Sequence, residues 1–143
     1  MAILLVRHGS AGHRSRWKGD DRHRPLDKRG RRQASGLVEA LAGHSITRIL
    51  SSPYLRCVQT VEPLGQLRGL AVEPREELSE GSGPMALLAL LDEIAQETTV
   101  VCSHGEQILD LIGWERKAPK ASTWILQAED GRFAPAVYLP PPA

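Results

Sequence analysis

The sequence predicts an α/β fold in which helices cover both faces of a mostly parallel six-stranded sheet, a three-layer α/β/α arrangement. Strand-like and helix-like segments alternate along the chain, as they do where helices connect parallel strands. The first of these segments, Ala-Ile-Leu-Leu-Val at positions 2–6, is apolar throughout, which is typical of a strand buried on both faces. The chain has 143 residues, so we expect one domain that covers 1–143.

Six short segments rich in β-branched residues and leucine are predicted to form the strands. The first should lie in the middle of the sheet, and the third is expected to be a brief edge strand. In chain order, the six predicted strands are 2–7, 48–52, 71–73, 98–102, 123–127 and 133–139.

Four amphipathic segments are predicted to form the helices. Asp27 should cap the first, with Gly43 at its end, and Pro53 should occupy the first position of the second. Pro63 predicts a kink or an early end within that second helix. The third helix should begin at Pro84 and bury a stripe of leucine and isoleucine. In chain order, the four predicted helices are 28–42, 54–67, 84–95 and 106–113.

The composition indicates a soluble globular protein, with 41% hydrophobic and 24% charged residues. The apolar run at 2–6 is too short to span a membrane or to form the core of a signal peptide, so we expect a cytoplasmic protein that does not bind membranes. Cys57 and Cys102 lack the CxxC spacing of metal and redox sites. We therefore expect two buried thiols.

Positive charge is concentrated near the N-terminus. Residues 1–32 contain ten Lys or Arg and three Asp, whereas the rest of the chain contains eight basic and fourteen acidic residues. Much of the excess lies in the segment 8–26, which is polar and aperiodic and is called the basic loop below. Such a loop is either a solvated arm or an electropositive mouth that attracts anions such as phosphates or nucleic acid.

Two arginines and two histidines follow the ends of three predicted strands. They stand in Arg7-His8-Gly9, in Ser51-Ser-Pro-Tyr-Leu-Arg56 and in Ser103-His104-Gly105. Ligands of open α/β sheets bind beyond the carboxyl ends of the strands, so these side chains are expected to meet there. Arginines suit the oxygens of a transferred phosphoryl group, and a neutral imidazole can attack phosphorus. Either histidine alone is more often a structural residue, but the ordered set is specific.

With these motifs, the chain resembles the histidine phosphatase superfamily, which has the phosphoglycerate-mutase-like fold. The resemblance extends from residue 3 to about 113, and the short length is similar to the compact SixA-type branch. It implies the strand order 3-2-4-1-5-6 with strand 5 antiparallel. The segments 14–22, 25–30, 59–64 and 122–125 also resemble the phosphatase half of actinobacterial MutT-type Nudix fusion proteins. An activity that depends on the Nudix half is not carried over.

The resemblance implies catalytic roles for five residues. His8 would be the nucleophile, Arg7 and Arg56 the phosphate clamp, and His104 the fourth member of the pocket. The family's Leu-x-Glu motif, which holds the general acid, corresponds to Leu78-Ser-Glu80, so Glu80 is the candidate acid. Glu77 is the alternative, and both carboxylates could instead be solvated, since the SixA-type branch often lacks this glutamate.

The basic loop supplies the candidate substrate-binding residues. Its Arg16-Trp-Lys-Gly19 segment resembles the family's Arg-Phe-x-Gly, with one extra residue before the following leucine. This similarity and the charge of the loop predict that the substrate contacts Ser10, Arg16, Lys18 and Arg22.

Other phosphate chemistries fit the sequence poorly. The sequence has no Cys-x5-Arg signature, P-loop or HExxH motif, and residues 75–80 match a Nudix box only in part. We therefore predict a phosphohydrolase that needs no metal or other cofactor and forms a phosphohistidine. Its substrate would be a nucleotide-type or other polyanionic phosphate, and nucleic acid is not expected to bind. The alternatives are a protein phosphohistidine phosphatase and a phospho-ligand binding module that has lost catalysis.

Overall fold

The computed structural model describes residues 2–142, which form a six-stranded sheet. Its strands are β1 (Ala2–Arg7), β2 (Arg48–Ser51), β3 (Val72–Pro74), β4 (Thr99–Ser103), β5 (Thr123–Glu129) and β6 (Arg132–Leu139). They lie in the order β3-β2-β4-β1-β5-β6. The first four pair in parallel, and β5 is antiparallel to both of its neighbours. The predicted fold class and strand order are confirmed.

Four α-helices cover the sheet: α1 (Lys28–Ala40), α2 (Leu55–Arg68), α3 (Gly83–Glu93) and α4 (Gly105–Ile112). As predicted, Asp27 caps α1, because its carboxylate accepts the Gly30 N–H at 2.8 Å. The basic loop, predicted to be irregular, contains two short 3₁₀ turns, Arg14–Arg16 and Asp21–His23. None of the helices within residues 2–142 has both the length and the apolar character that crossing a membrane requires.

Alternate side chains of β1 enter two separate cores. Ile3 and Leu5 pack with the buried leucines and isoleucines of α3 and α4, and Leu4 and Val6 pack with those of α1 and α2. All four are almost fully buried. Each such side chain stabilises the fold by roughly 1.5–3 kcal/mol, which explains why an uninterrupted apolar run occupies the middle of the sheet.

Helix α2 has nearly the predicted extent of 54–67, but it departs from the prediction at Pro53, and one of the two outcomes predicted for Pro63, the early end, is excluded. Pro53 is not in the helix, because Tyr54 has an extended backbone and its N–H donates to Ser52 Oγ at 3.2 Å. The predicted early end at Pro63 is wrong, since α2 continues to Arg68. An interior proline costs about 3 kcal/mol, and burial of Val61 and Leu64 offsets this.

The sheet topology brings four chain segments to one edge. Strands β1, β2 and β4 are parallel, so the residues that follow them lie at the same edge. Strand β5 runs in the opposite direction, so the residues before it lie there too. The N–H of Ala121 donates to the carbonyl oxygens of both Arg7 and His8 at 3.0 Å. Ala121 has a φ of 68°, a left-handed conformation that these two hydrogen bonds stabilise.

Candidate active site

His8 has the geometry of a nucleophile. Its ring is buried, and Nδ1 lies 2.8 Å from the carbonyl oxygen of Gly9. Since a carbonyl oxygen only accepts, Nδ1 carries the hydrogen and Nε2 of the neutral ring keeps its lone pair. Burial lowers the pKa of His8 well below the usual 6.5, although the Gly9 hydrogen bond acts to raise it. The neighbouring His104, Arg56 and Arg7 lower this pKa further, so the ring is neutral at pH 7.

His104 faces His8 with a ring centroid separation of 5.4 Å. Its Nε2 lies 2.9 Å from Ser52 Oγ, which also accepts the N–H of Tyr54. When Ser52 donates its hydroxyl hydrogen to Nε2, the ring hydrogen of His104 is on Nδ1. This Nδ1 is buried and has no hydrogen-bond partner within residues 2–142. In that tautomer, Nδ1 of His104 can donate a hydrogen bond to an oxyanion.

Arg7 is held between β1 and α4. Its Nη1 donates to the carbonyl oxygen of Ala118 at 2.9 Å, whereas its buried Nε finds no acceptor in the described part of the chain. A Cβ on Gly105 would stand 2.7 Å from the Arg7 Cζ. Only glycine at position 105 therefore leaves room for the guanidinium in its present place.

Arg56 is fully buried, and its terminal nitrogens donate to Asp21 and Glu80. Nη1 donates to the carbonyl oxygen of Asp21 at 2.9 Å, and Nη2 donates to Asp21 Oδ2 at 3.0 Å and to Glu80 Oε2 at 2.9 Å. Its Nε has no partner within residues 2–142. Direct binding of a phosphate at Nη2 therefore requires that the phosphate displace one of these carboxylates.

Asp21 also joins Arg56 to the basic loop, because its Oδ1 accepts from Arg24 Nε at 2.8 Å. Burial would raise the pKa of Asp21, but the hydrogen bond from Arg24 and the charge of Arg56 outweigh it and lower that pKa. The ring of Tyr54 contacts both Arg56 and His104. Its centroid lies 4.9 Å from Arg56 Cζ and 4.8 Å from the centroid of the His104 ring.

A cavity of about 510 Å³, here called the His8 cavity, opens at this edge of the sheet. Strand ends and the start of α4 contribute one side of it, and the basic loop and Lys120 contribute the other. Its lining consists of Arg7, His8, Gly12, His13, Arg14, Arg24, Glu80, His104, Gly105, Glu106 and Lys120. Burial, followed by the charges of Arg7 and Arg24, lowers the pKa of Lys120, so this lysine faces a cationic surrounding.

The structure separates the two candidate acids. Glu80 lines the His8 cavity, where its carboxylate pairs with Arg14 and Arg56. Glu77 instead pairs with Arg75 at 2.6 Å, and this hydrogen bond lowers the pKa of Glu77. The position of Glu80 in the cavity favours it over Glu77 as the candidate acid. Glu106 is a second carboxylate in the lining, and the sequence analysis did not single it out.

None of the four predicted substrate-binding residues is in the lining of the His8 cavity. Ser10 Oγ donates to Asp27 Oδ2 at 2.7 Å, and Arg22 pairs with Glu76 at 2.9 Å. Arg16 lines a neighbouring cavity, and Lys18 is exposed. The cations that do line the His8 cavity from outside the motifs are Arg14, Arg24 and Lys120.

Lys120 is the residue that sequence reasoning missed most clearly. A usable signal existed, because the expected antiparallel strand 5 beside strand 1 places the residues before 123 next to Arg7. Arg24 belonged to the basic loop, but no local pattern distinguished it from its exposed neighbours. Its burial results from the contacts with Asp21 and with the carbonyl oxygen of Ala11.

Comparison with solved structures shows the same fold in other proteins. The protein histidine phosphatase SixA, in complex with tungstate, superposes with a TM-score of 0.80 at 23% identity, over 97% of this chain and 96% of that one. A phosphoserine phosphatase from Entamoeba histolytica, in complex with 3-phosphoglyceric acid, gives 0.76 at 16% identity, over 96% and 95%. At these identities the likeness concerns the fold alone.

Comparison of sequences shows the family. An 8-oxo-(d)GTP phosphatase of Mycolicibacterium smegmatis is 42% identical over an alignment of 155 positions, which covers 98% of this chain and 48% of that protein. The chain thus spans about half the length of this relative, and the resemblance to Nudix fusion proteins stays a prediction. Residues 3–88 match the model of the histidine phosphatase superfamily, branch 1. The chain belongs to the histidine phosphatase superfamily, as its motifs predicted.

Proposed function

We propose that this histidine phosphatase cleaves phosphate from a nucleotide-type polyanion through a covalent phosphohistidine on His8, without a metal ion. The observation that carries the proposal is the state of His8. Its ring is neutral, Nδ1 is anchored to Gly9, and Nε2 keeps its lone pair beside the His8 cavity. A nitrogen in this state can attack phosphorus.

The surrounding donors support the transfer step. As Nε2 bonds to phosphorus, the bond from phosphorus to the leaving oxygen breaks, and charge spreads over the three equatorial oxygens. Nε of Arg7 and Nδ1 of His104 are buried beside His8 and have no partner within residues 2–142, and we assign both as donors to these oxygens. We assign Glu80 the protonation of the leaving oxygen, for which it must first leave its ion pairs with Arg14 and Arg56 and bind a proton from solvent. Water then attacks the phosphohistidine, the bond between Nε2 and phosphorus breaks, and phosphate is released with the His8 ring neutral again. Arg56 joins the clamp when phosphate displaces Asp21 or Glu80 from it.

The excess of cations supports a polyanionic substrate. Arg7 and His104 already match one phosphate, yet Arg14, Arg24 and Lys120 also line the cavity, against the two carboxylates Glu80 and Glu106. Arg14 pairs with Glu80 and Arg24 with Asp21, so the surplus charge rests mainly on Lys120. This charge raises the local concentration of an anion and suits further phosphates. The name of the relative from Mycolicibacterium smegmatis supports a nucleotide as the carrier of those phosphates.

A protein phosphohistidine phosphatase is the second candidate. The observation in its favour is that Gly12, His13 and Arg14 in the lining of the His8 cavity are exposed to solvent, so that a phosphorylated side chain could enter from the surface. The structural likeness to SixA concerns the fold alone and does not decide between the two. A binding module without catalysis is the third, and any turnover that requires His8 would contradict it.

Steady-state kinetics with EDTA present can test these alternatives. Nucleoside di- and triphosphates, p-nitrophenyl phosphate and a phosphohistidine protein should be compared, and we expect the highest kcat/KM for a nucleotide. Lys120→Gln should raise KM for the nucleotide more than for p-nitrophenyl phosphate, with the difference shrinking as salt is added.

Lys18→Gln is the matched control, because Lys18 is an exposed lysine of the basic loop outside the His8 cavity. An equal response of the two substrates to Lys120→Gln would contradict the polyanion proposal. A larger effect of Lys18→Gln would return the substrate contact to the residue predicted from the sequence. Strict dependence on an added divalent metal would contradict the metal-free mechanism.

A further inference from the structure

A second cavity of about 320 Å³ adjoins the His8 cavity and is here called the Trp17 cavity. Three residues of the basic loop, Gly12, His13 and Arg24, line both cavities. The rest of its wall is mainly apolar, with Ala11, Trp17, Pro25 and Leu26 among its members. The volume lies at the lower end of the range of about 300–1,000 Å³ for small-molecule sites.

Trp17 is held in a fixed position in this wall. Its Nε1–H donates to the carbonyl oxygen of Asp20 at 2.9 Å, and the residue comes directly after the 3₁₀ turn Arg14–Arg16 in the chain. Even so, 37% of Trp17 is exposed. A half-exposed indole that is fixed by its own hydrogen bond is a ready surface for a flat ring.

The charged groups of the cavity indicate what else its ligand carries. Asp27 is the one carboxylate in the wall, and its oxygens already accept from Ser10, Gly12 and Gly30. The cation that lines both cavities, Arg24, stands on the border with the His8 cavity, where its Nε also pairs with Asp21. A ligand that bridges the two cavities would therefore be anionic near this border and at His8, and flat and apolar beside Trp17.

We infer that the Trp17 cavity binds the base of a nucleotide whose terminal phosphate lies at His8. The inference rests on the proposed function and extends it, because it places the part of the substrate that does not react. Arg16, which also lines this cavity, would contact the nucleoside and not the transferred phosphate. This would explain why a predicted substrate-binding residue lies outside the His8 cavity.

The test compares a nucleoside triphosphate with inorganic triphosphate, which has the same phosphate chain and no base. Trp17→Ala should raise KM for the nucleotide about tenfold, the effect of losing one stacked base, and leave inorganic triphosphate unchanged. Trp17→Phe retains an aromatic ring and should restore most of the affinity. Trp114→Ala is the control, since Trp114 is 62% exposed and its Nε1 bonds to Asp110 on α4.

Fluorescence separates this inference from the proposed function, because it needs no turnover. Titration with a nucleoside diphosphate should quench emission in the parent protein and in Trp114→Phe but not in Trp17→Phe, and inorganic diphosphate should quench in none. Quenching without turnover would support the base site and contradict the proposed function. Nucleotide turnover that is insensitive to Trp17→Ala, or equal effects on both triphosphates, would overturn the base site. Quenching only by an added apolar peptide would overturn it as well.

Discussion

Gly105 lies directly against the Arg7 guanidinium, so that a Cβ at position 105 would stand 2.7 Å from Cζ and 2.8 Å from Nε. The side chain of arginine is flexible at this end, so it would move before the backbone does. Gly105→Ala should therefore displace the donor Nε with little change in the melting temperature. We expect a loss of kcat on the order of 10²–10³, as for other lost oxyanion donors.

Gly43→Ala provides the control for this substitution. Gly43 is exposed on the turn after α1, and a Cβ there would meet no atom of residues 2–142 within 4 Å. Its kcat should match that of the parent. A folded Gly105→Ala protein that retains full activity would show that the position of Arg7 does not limit the reaction. Unfolding of this variant would contradict the expectation that the Arg7 side chain moves before the backbone does.

The pH dependence of the reaction should report the state of His8. Protonation removes the lone pair of Nε2, so kcat/KM should fall as the pH falls through the pKa of this histidine. Because burial and neighbouring charges place that pKa well below 6.5, full activity should persist at pH 6.5. A pH–rate profile, corrected for the ionisation of the substrate, checks this. An acidic limb centred above 6.5 would contradict the neutral nucleophile.

Asp27 should stabilise the loop after β1 as well as α1. Burial would raise the pKa of Asp27, but hydrogen bonds from Gly30, Ser10 and Gly12 lower it to about 2. Its contribution is therefore complete above about pH 3.8, the usual value, and is lost as the pH falls towards 2. Asp27→Ala should lower the free energy of unfolding at pH 7 by about 1–2 kcal/mol.

Urea denaturation of the parent and the Asp27→Ala protein measures this difference. The difference should narrow as the pH approaches 2, because the parent then loses the charged cap. Asp92→Ala, at an exposed position on α3, should leave stability nearly unchanged. If the parent and the Asp27→Ala protein differed in free energy of unfolding by the same amount at pH 7 and at pH 2, this would contradict the assigned role of the carboxylate.

Glu80 and Glu77 can be distinguished by the choice of leaving group. An alkoxide needs a proton in order to leave, whereas p-nitrophenolate does not. Glu80→Gln should slow hydrolysis of an alkyl phosphate by about 10²-fold or more and that of p-nitrophenyl phosphate much less. Glu77→Gln should change neither rate, because Glu77 pairs with Arg75 outside the His8 cavity. A selective loss in Glu77→Gln would transfer the role to that residue.

Local sequence pattern predicted the sheet and the motif residues at its edge well. The ends of β1 and β4 are recognisable in the sequence because each apolar run is followed by a histidine and a glycine. Since the two strands pair in parallel, the ring centroids of His8 and His104 lie 5.4 Å apart. The resemblance supplied the order of the strands and the direction of β5, which no periodicity encodes.

Residues brought in by long-range contacts were not predictable in the same way. Lys120 reaches the His8 cavity because the neighbouring Ala121 N–H donates to the carbonyl oxygens of Arg7 and His8 at the end of β1. Arg24 is buried because Asp21 accepts its Nε. Both contacts are tertiary, so they leave no periodic pattern in the sequence. The sequence therefore showed the charge of the basic loop but not which of its residues, Arg24, is buried.

The formation of phosphohistidine on His8 tests the central claim most directly. The protein should be mixed with radiolabelled substrate, quenched in alkaline denaturant and digested, and the labelled peptide identified. The account predicts an acid-labile, alkali-stable phosphate on the peptide that contains His8, and none in a folded His8→Ala protein. Label that survives in His8→Ala, or that is found on His104 in the parent, would contradict it.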